Sequence, residues 1–333
     1  ALARTRFESG LASSDEMQQA RVALVEVEAA LTAVEARLRY LRGVEPDTAP
    51  TVVQVRQAYE AVVLENQWLR LTFLPELGGR LYSVTDKASG EELLYQNPVI
   101  KPNLGHWGPP EQPWWLAAGG VEWCLPVEEH GYEWALPWGY ETEVLPNEAR
   151  ITLWDSKATD RVRAEITVRL PADGADFTIS PWLVNPTDKP VTFKFWHNAM
   201  LAPGAANTVG PDLRFVVPVD QVEVHSSGNF AEHQVLSWPV HDGVDYARLG
   251  NWDQWLGFFA YPAAVRDWAG VYDGAARRGF ARVFPRGGAP GVKGFGFGWR
   301  SPIDWQVWTD DGSTYVELHG GPSPTFWDSL TLQ

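Results

Sequence analysis

Between His106 and Tyr140 the chain carries six tryptophans (Trp107, Trp114, Trp115, Trp123, Trp134 and Trp138), two histidines (His106 and His130) and five glutamates. An indole is large, and its N–H wants a partner once buried, so packing alone rarely recruits so many. A flat ring with a polar edge is also a platform for a pyranose, whose C–H face lies on the indole while its hydroxyls meet carboxylates and imidazoles at the rim. Core packing and a sugar cleft compete for this stretch, and the interleaved His and Glu favour the cleft. Trp107, Trp115, Trp123 and Trp138 are then the stacking surfaces, with His106 and His130 at the rim. Glu122 follows Gly119-Gly120 and precedes Trp123. A carboxylate in that setting is costly unless hydrogen-bonded. It is expected to hold sugar hydroxyls, to act as general acid in glycoside cleavage, or to ligate a metal with His130. His106, Glu122 and His130 are permissible ligand types but lack a diagnostic spacing, so no metal is expected.

Composition narrows the class further. The formal net charge is −15, from 42 acidic and 27 basic residues, with no basic run. Nucleic acid is a poor partner for such a chain, and a neutral or cationic ligand suits it better. Cys124 is the only cysteine; between Trp123 and Leu125 it reads as a buried structural thiol, and it excludes a disulfide framework or thiolate cluster. No apolar run approaches the length of a membrane span, and no signal peptide is visible. No membrane partner is expected, and the cytoplasm is the favoured compartment. No Walker loop, Rossmann fingerprint, nucleophile elbow or zincin helix occurs, so no cofactor is expected.

Two dissimilar regions must position these groups. Within residues 13–42, Met17, Ala20, Leu24, Val27, Leu31, Val34, Leu38 and Leu41 alternate spacings of three and four, an unbroken heptad series. Ser13 with Glu16 forms a capping box and Gly43 a terminator, predicting one helix of about 28 residues. Its apolar stripe lies on the main domain or pairs with a second copy, giving a homodimer through residues 14–42. Pro46 to Pro50 reads as a linker that closes an N-terminal part of residues 1–50.

From 51 to 333 the signals are short, β-branched or aromatic runs that often alternate in polarity. Predicted strands include Glu60–Glu65, Trp68–Leu74, Arg80–Asp86, Arg163–Leu170, Phe177–Asn185, Val191–Trp196, Arg214–Val217, Gln221–His225, Leu256–Tyr261, Phe280–Phe284, Gly294–Trp299, Trp305–Thr309 and Tyr315–His319. Ala172-Asp173-Gly174-Ala175 is a hairpin connection and Asn185-Pro186-Thr187-Asp188 another turn. Strands at this spacing without intervening helices mean stacked antiparallel sheets. Residues 98–140 read as a long ordered loop, usually functional. Gly294-Phe295-Gly296-Phe297-Gly298-Trp299 would let a backbone or ligand approach one strand face closely.

One string carries a family signal. Leu64-Glu65-Asn66-Gln67-Trp68-Leu69-Arg70-Leu71, followed by Leu74-Pro75-Glu76-Leu77-Gly78-Gly79-Arg80-Leu81, places two strands around a Gly-Gly turn with Arg80 at the exit. With Gly119 to Trp123 and the closing Tyr315-Val316-Glu317-Leu318, it resembles the galactose-mutarotase-like superfamily, in particular its bacterial DUF5107 branch, over residues 58–333. The resemblance implies an antiparallel β-supersandwich with a carbohydrate cleft on a concave sheet. It implies Arg80 at the substrate, His197 (in Phe195-Trp196-His197-Asn198) as proton donor, and Glu317 as catalytic base. The contexts expected around the family's other histidine are absent, so both His106 and His130 stay open for that place.

Opening an aldopyranose needs a base for the anomeric hydroxyl and an acid for the ring oxygen. A carboxylate near Arg⁺ stays ionised at neutral pH while an imidazole can donate. Glu317, His197 and Arg80 therefore form a consistent set. The expectation is an all-β supersandwich with one long N-terminal helix, binding a mono- or oligosaccharide and performing aldose 1-epimerase-like chemistry. The alternatives are a glycoside hydrolase or lyase using Glu122 with Glu317, and a non-catalytic glycan-binding module. Asp253, Asp304 and His319 are rim candidates whose simpler reading is ordinary surface.

Overall fold

The structure, a computed structural model, describes residues 57–100, 102–103, 115–127, 129–131, 135–155, 158–302 and 314–333. The expected helix over 13–42 and the dimer contact through it lie outside the described residues, as do His106, Trp107, Asp304 and the expected strand Trp305–Thr309. By contacts the chain separates into Ala1–Ala58 and Tyr59–Gln333.

The second unit is a run of antiparallel strands. β1 (Val62–Glu65), β2 (Leu69–Leu74), β3 (Arg80–Asp86) and β4 (Glu91–Glu92) are followed by the short pair β5 (Pro102–Asn103) and β6 (Trp115–Leu116), then β7 (Val121–Cys124). β8 (Gly139–Val144), β9 (Glu148–Trp154), β10 (Arg163–Pro171) and β11 (Thr178–Val184) form a four-stranded meander. β12 (Val191–Phe193), β13 (Trp196–Leu201), β14 (Leu213–Val216), β15 (Gln221–Ser227), β16 (Val235–Ser237), β17 (Val240–His241) and β18 (Val244–Asp245) come next. A 3₁₀ turn at Leu249–Asn251 is the one helical element among the described residues. β19 (Leu256–Tyr261), β20 (Trp268–Asp273), β21 (Arg278–Val283), β22 (Gly291–Gly296), β23 (Val316–Gly321) and β24 (Leu330–Leu332) complete the fold.

Eleven strands make the main sheet in the order β1-β2-β3-β7-β13-β23-β22-β19-β15-β16, with β4 on β3. β14-β20-β21 form a three-stranded sheet. Period-two patterning explains how the layers close. In β10, Ala164, Ile166, Val168 and Leu170 are buried, while Arg163, Glu165, Thr167 and Arg169 between them reach the surface. Those apolar residues join Ile151 and Leu153 of β9, Phe215 and Val271 of the three-stranded sheet, and one face of the main sheet in a single core. On the main sheet that face is a register row, Val121, Ala199, Leu318, Gly294, Phe258 and Val224.

Two expectations need correction. Residues 98–140 are not one loop, since Val121–Cys124 is a strand inside the main sheet with all four residues buried. The glycines of 294–298 are closely approached, at Gly294 and Gly296 by the Phe258 and Trp252 rings (2.6 and 2.9 Å from an added Cβ) and at Gly298, as expected, by backbone, that of Gln254 at 2.7 Å. The run Val191–Trp196 breaks after Phe193, and Trp196 opens the next strand.

Candidate functional site

Two glycine pairs set the geometry. Gly78 and Gly79 have φ of 69° and 60°, and a Cβ on Gly79 would stand 2.7 Å from the Trp138 ring, so only glycine makes this turn. The turn delivers Arg80 as the first residue of β3. Gly119 and Gly120 have φ of 87° and 75°, and a Cβ on Gly119 would fall 2.0 Å from the Tyr95 carbonyl. That second turn feeds β7 beside β3, where Leu81 pairs with Val121, and so brings Arg80 to Glu122.

Arg80 is wholly buried; its Nη1 donates to the Gly119 carbonyl at 2.6 Å and its Nη2 to Glu122 Oε2 at 3.2 Å. Trp115 Nε1 donates to the same oxygen at 3.1 Å, and Asn198 Nδ2 donates to Oε1 at 3.3 Å. His130 Nδ1 makes a short bond to Oε1, and its ring stacks on Trp115 with centroids 4.0 Å apart. Burial pushes the Glu122 carboxyl up, but the His130 charge and hydrogen bond, then Arg80 and Trp115, outweigh it and hold the group at about 2. Burial lowers the His130 pKa, but the charge and hydrogen bond of Glu122 overcome this and raise it above the ordinary histidine value.

Glu122 opens a second register row, one residue out of step with the apolar one: Glu122, Asn198, His319, Lys293, Phe259 and Glu223, on six successive strands from β7 to β15. A one-residue offset puts these side chains on the opposite face of the main sheet from the core row. Glu317 lies on the same face, two residues before His319, whose Nε2 is 2.9 Å from Glu317 Oε2. Burial raises the Glu317 carboxyl to about 7, against the lowering pull of His130 and Lys293. Burial, with Lys293 and His130 nearby, keeps the His319 pKa well below the ordinary histidine range. Farther along, Glu129 accepts from Lys293 Nζ at 3.1 Å and lies 3.3 Å from His225 Nδ1. Lys293 also sits 4.4 Å from the Phe326 ring centroid. Asn198 Oδ1, His319 Nδ1 and Tyr315 Oη are buried without a hydrogen-bond partner among the described residues. Such orphaned donors and acceptors are what a polar ligand would satisfy.

The sequence-named residues divide on this geometry. Arg80, Glu122, His130, Trp115 and Glu317 come together. His197 does not: it pairs with Trp123 and Gly320 on the core side of β13, and a Cβ on Gly320 would lie 2.5 Å from His197 Cε1. Burial and then Arg282 keep its pKa well below the usual range. The expected hollow shared by Arg80, His197 and Glu317 is therefore corrected, because strand alternation turns His197 away. Trp123 and Trp138 are core residues, 1% and 4% exposed, and Trp123 Nε1 donates to the Gly79 carbonyl at 3.0 Å. Asp253 lies at the surface, accepting from Ser301 Oγ at 3.5 Å. His319, read as ordinary surface, is fully buried against Glu317. Asn198, Lys293, Glu129 and His225 were missed; Asn198 stands one residue from the nominated His197, and alternation from Trp196 was the signal that could have found it. Glu122, Cys124 and His130 also offer ligand atoms within 4.8 Å of one another. Arg80, a permanent cation 3.2 Å from Glu122, disfavours a metal ion there.

Comparison with known proteins places this architecture. The fold matches a TPR-domain containing protein of Parabacteroides distasonis with a TM-score of 0.70 at 22% identity, covering 83% of this chain and 44% of that one. The chain thus spans less than half the length of that protein. It also matches a galactose mutarotase-like protein of Lactobacillus casei (TM-score 0.52, 12% identity, 82% of this chain and 95% of that one). A galactose mutarotase related enzyme of Lactobacillus acidophilus gives a TM-score of 0.50 at 11% identity, with 82% and 93% covered. Identities this low establish a shared fold. The model of a domain of unknown function, DUF5107, matches residues 48–327, which is most of the chain. The all-β, antiparallel architecture is galactose-mutarotase-like, and the chain belongs to the DUF5107 family.

Proposed function

We propose that the protein binds a sugar on the polar face of the main sheet and moves protons at its anomeric centre, with Glu317 as base and His130 as acid. The observation that carries this reading is the joint placement of a buried carboxyl and a buried imidazole on one face, each held by its own partner. Glu317 takes the proton of the anomeric hydroxyl, and His130, whose Nδ1 is engaged by Glu122, gives one to the ring oxygen from its other nitrogen. The C1–O5 bond opens, the aldehyde rotates, and reclosure returns both protons, so the cycle balances. Asn198 and His319 offer unpartnered atoms to ring hydroxyls. The likeness in fold to mutarotase-like proteins supports a sugar as ligand.

Glu122 is a weak candidate for the general acid of a hydrolase, because a carboxyl held at about 2 by His130 and Arg80 carries no proton near neutrality. NMR exchange spectroscopy on aldohexose anomers tests the proposal. Wild-type protein accelerates α/β exchange, and Glu317→Gln or His130→Gln slows the catalysed rate by about 10²-fold or more, the usual scale of general acid–base catalysis. Full exchange activity in both variants rejects the assignment. Sugar binding by calorimetry with no exchange in the wild type leaves a binding module instead.

A further inference from the structure

We propose a second carbohydrate-binding surface, for a neutral glycan chain, on the outer face of the four-stranded sheet β8–β11. The inner face of that sheet (Ile151, Leu153, Ile166, Val168) packs into the core, and the Glu317 row lies on the far face of the main sheet. The two surfaces are therefore on opposite sides of the sandwich. This inference stands apart from the acid–base reading.

Three observations converge. Trp182 is 69% exposed in the middle of a regular strand, a large apolar ring left in water. Trp154, two strands away, lies against the backbone of β8: a Cβ on Gly139 would fall 2.2 Å from its Nε1 and 2.3 Å from Cε2. Any side chain larger than glycine at 139 would push that indole off the sheet. Register then aligns Gly139, Trp154, Glu165 and Trp182 in one row across all four strands. The two indoles flank Glu165 at a separation of about 10 Å, two inter-strand steps. Glu165 has no hydrogen bond or ion pair among the described residues.

The adjacent row supplies hydroxyls. Thr152 Oγ1 and Thr167 Oγ1 are 3.0 Å apart, and Ser180 Oγ accepts from Arg169 Nη1 at 3.0 Å. Flat apolar rings spaced across strands, an unpaired carboxylate between them and a line of hydroxyls beside them match the alternating C–H faces and hydroxyl edges of a sugar chain. A docked protein would meet a continuous apolar core, and this face breaks its apolar surface with a carboxylate. An anionic polymer would meet Glu141 and Glu165 on a chain of net charge −15, while the arginines of this face, Arg150, Arg163 and Arg169, are engaged by Glu143, Asp155 and Glu148.

The test is affinity electrophoresis of the full chain in native gels cast with xyloglucan, galactomannan, mixed-linkage β-glucan or soluble starch. Wild-type protein is retarded by at least one of them. Trp182→Ala or Glu165→Ala weakens the apparent affinity tenfold or more, while Glu317→Gln leaves it within twofold. Circular dichroism confirms that the Trp182 variant is folded, as its exposure leads one to expect. Absence of retardation by all four polymers overturns the proposal, as does retardation insensitive to Trp182→Ala. Retardation lost in Glu317→Gln would move the binding to the other face. Sedimentation showing that Trp182→Ala converts a dimer to a monomer would assign the face to a second copy instead.

Discussion

Two buried carboxylates on one sheet face are driven in opposite directions. Glu122 is surrounded by donors and held at about 2, whereas desolvation dominates at Glu317 and raises it to about 7. Both start from 4.5 in the unfolded chain. Glu317 binds more protons folded than unfolded between its two values, so the stability linked to its protonated form is complete below about 4.5 and is lost as pH rises through 7. Glu122 behaves inversely: its contribution is present above 4.5 and is lost as pH falls toward 2. Glu317→Gln, a permanent mimic of the protonated form, should therefore melt close to wild type at pH 5 and clearly above it at pH 8. A melting-temperature offset that does not grow between those pH values contradicts the burial argument. Glu122→Gln leaves Arg80 and His130 without their counter-charge and should cost about 3–5 kcal/mol in urea unfolding at pH 7. That cost should shrink as the pH falls toward 3.

At the level of the strand, alternation decides which neighbour reaches the site. His197 and Asn198 are consecutive in β13, yet one packs against Gly320 and Arg282 while the other donates to Glu122. Asn198→Ala should weaken sugar binding by about 1–2 kcal/mol, the scale of a hydrogen bond to a charged or buried polar group. His197→Gln should leave sugar affinity within twofold, and calorimetry on the pair of variants measures the contrast. Runs of strand-favouring residues bounded by turns were legible from residues alone: Arg80–Asp86 is the strand predicted, and the alternating Arg163–Leu170 ends one residue later, at Pro171. Val121–Cys124 was not legible, because it is covered on both faces and its four residues, glutamate included, are all buried. A strand like that loses the polarity alternation on which reading depends. Glu122 and Glu317 could be nominated by residue type and context. Their division of labour could not, because it comes from burial at Glu317 and from His130, Arg80 and Trp115 around Glu122, all of which the fold creates.

Across the whole molecule, the site is assembled from strands far apart in sequence, β3, β7, β13, β22 and β23, which are neighbours in one sheet. No short contiguous fragment contains it, so the site and the core should be lost together. β23 is central to this dependence. It pairs with β13 on one side and β22 on the other, carries Glu317 and His319, and places Val316 and Leu318 in the core. Removing residues 314–333 would leave β13 and β22 each with an open edge, and β12 without its partner β24. The N-terminal segment stands differently, because contacts separate Ala1–Ala58 from Tyr59–Gln333. A chain of residues 57–333 is therefore expected to give one cooperative transition by far-ultraviolet circular dichroism and tryptophan fluorescence, with a midpoint within a few degrees of the full chain. A chain of residues 1–313 is expected to show no cooperative transition. The same pair of samples bears on the heptad pattern: if residues 14–42 pair with a second copy, sedimentation should give a dimer for the full chain and a monomer for 57–333. A folded, cooperative 1–313 chain would mean that the sheet can close without its Glu317 strand, and that the site is an addition to the core rather than part of it.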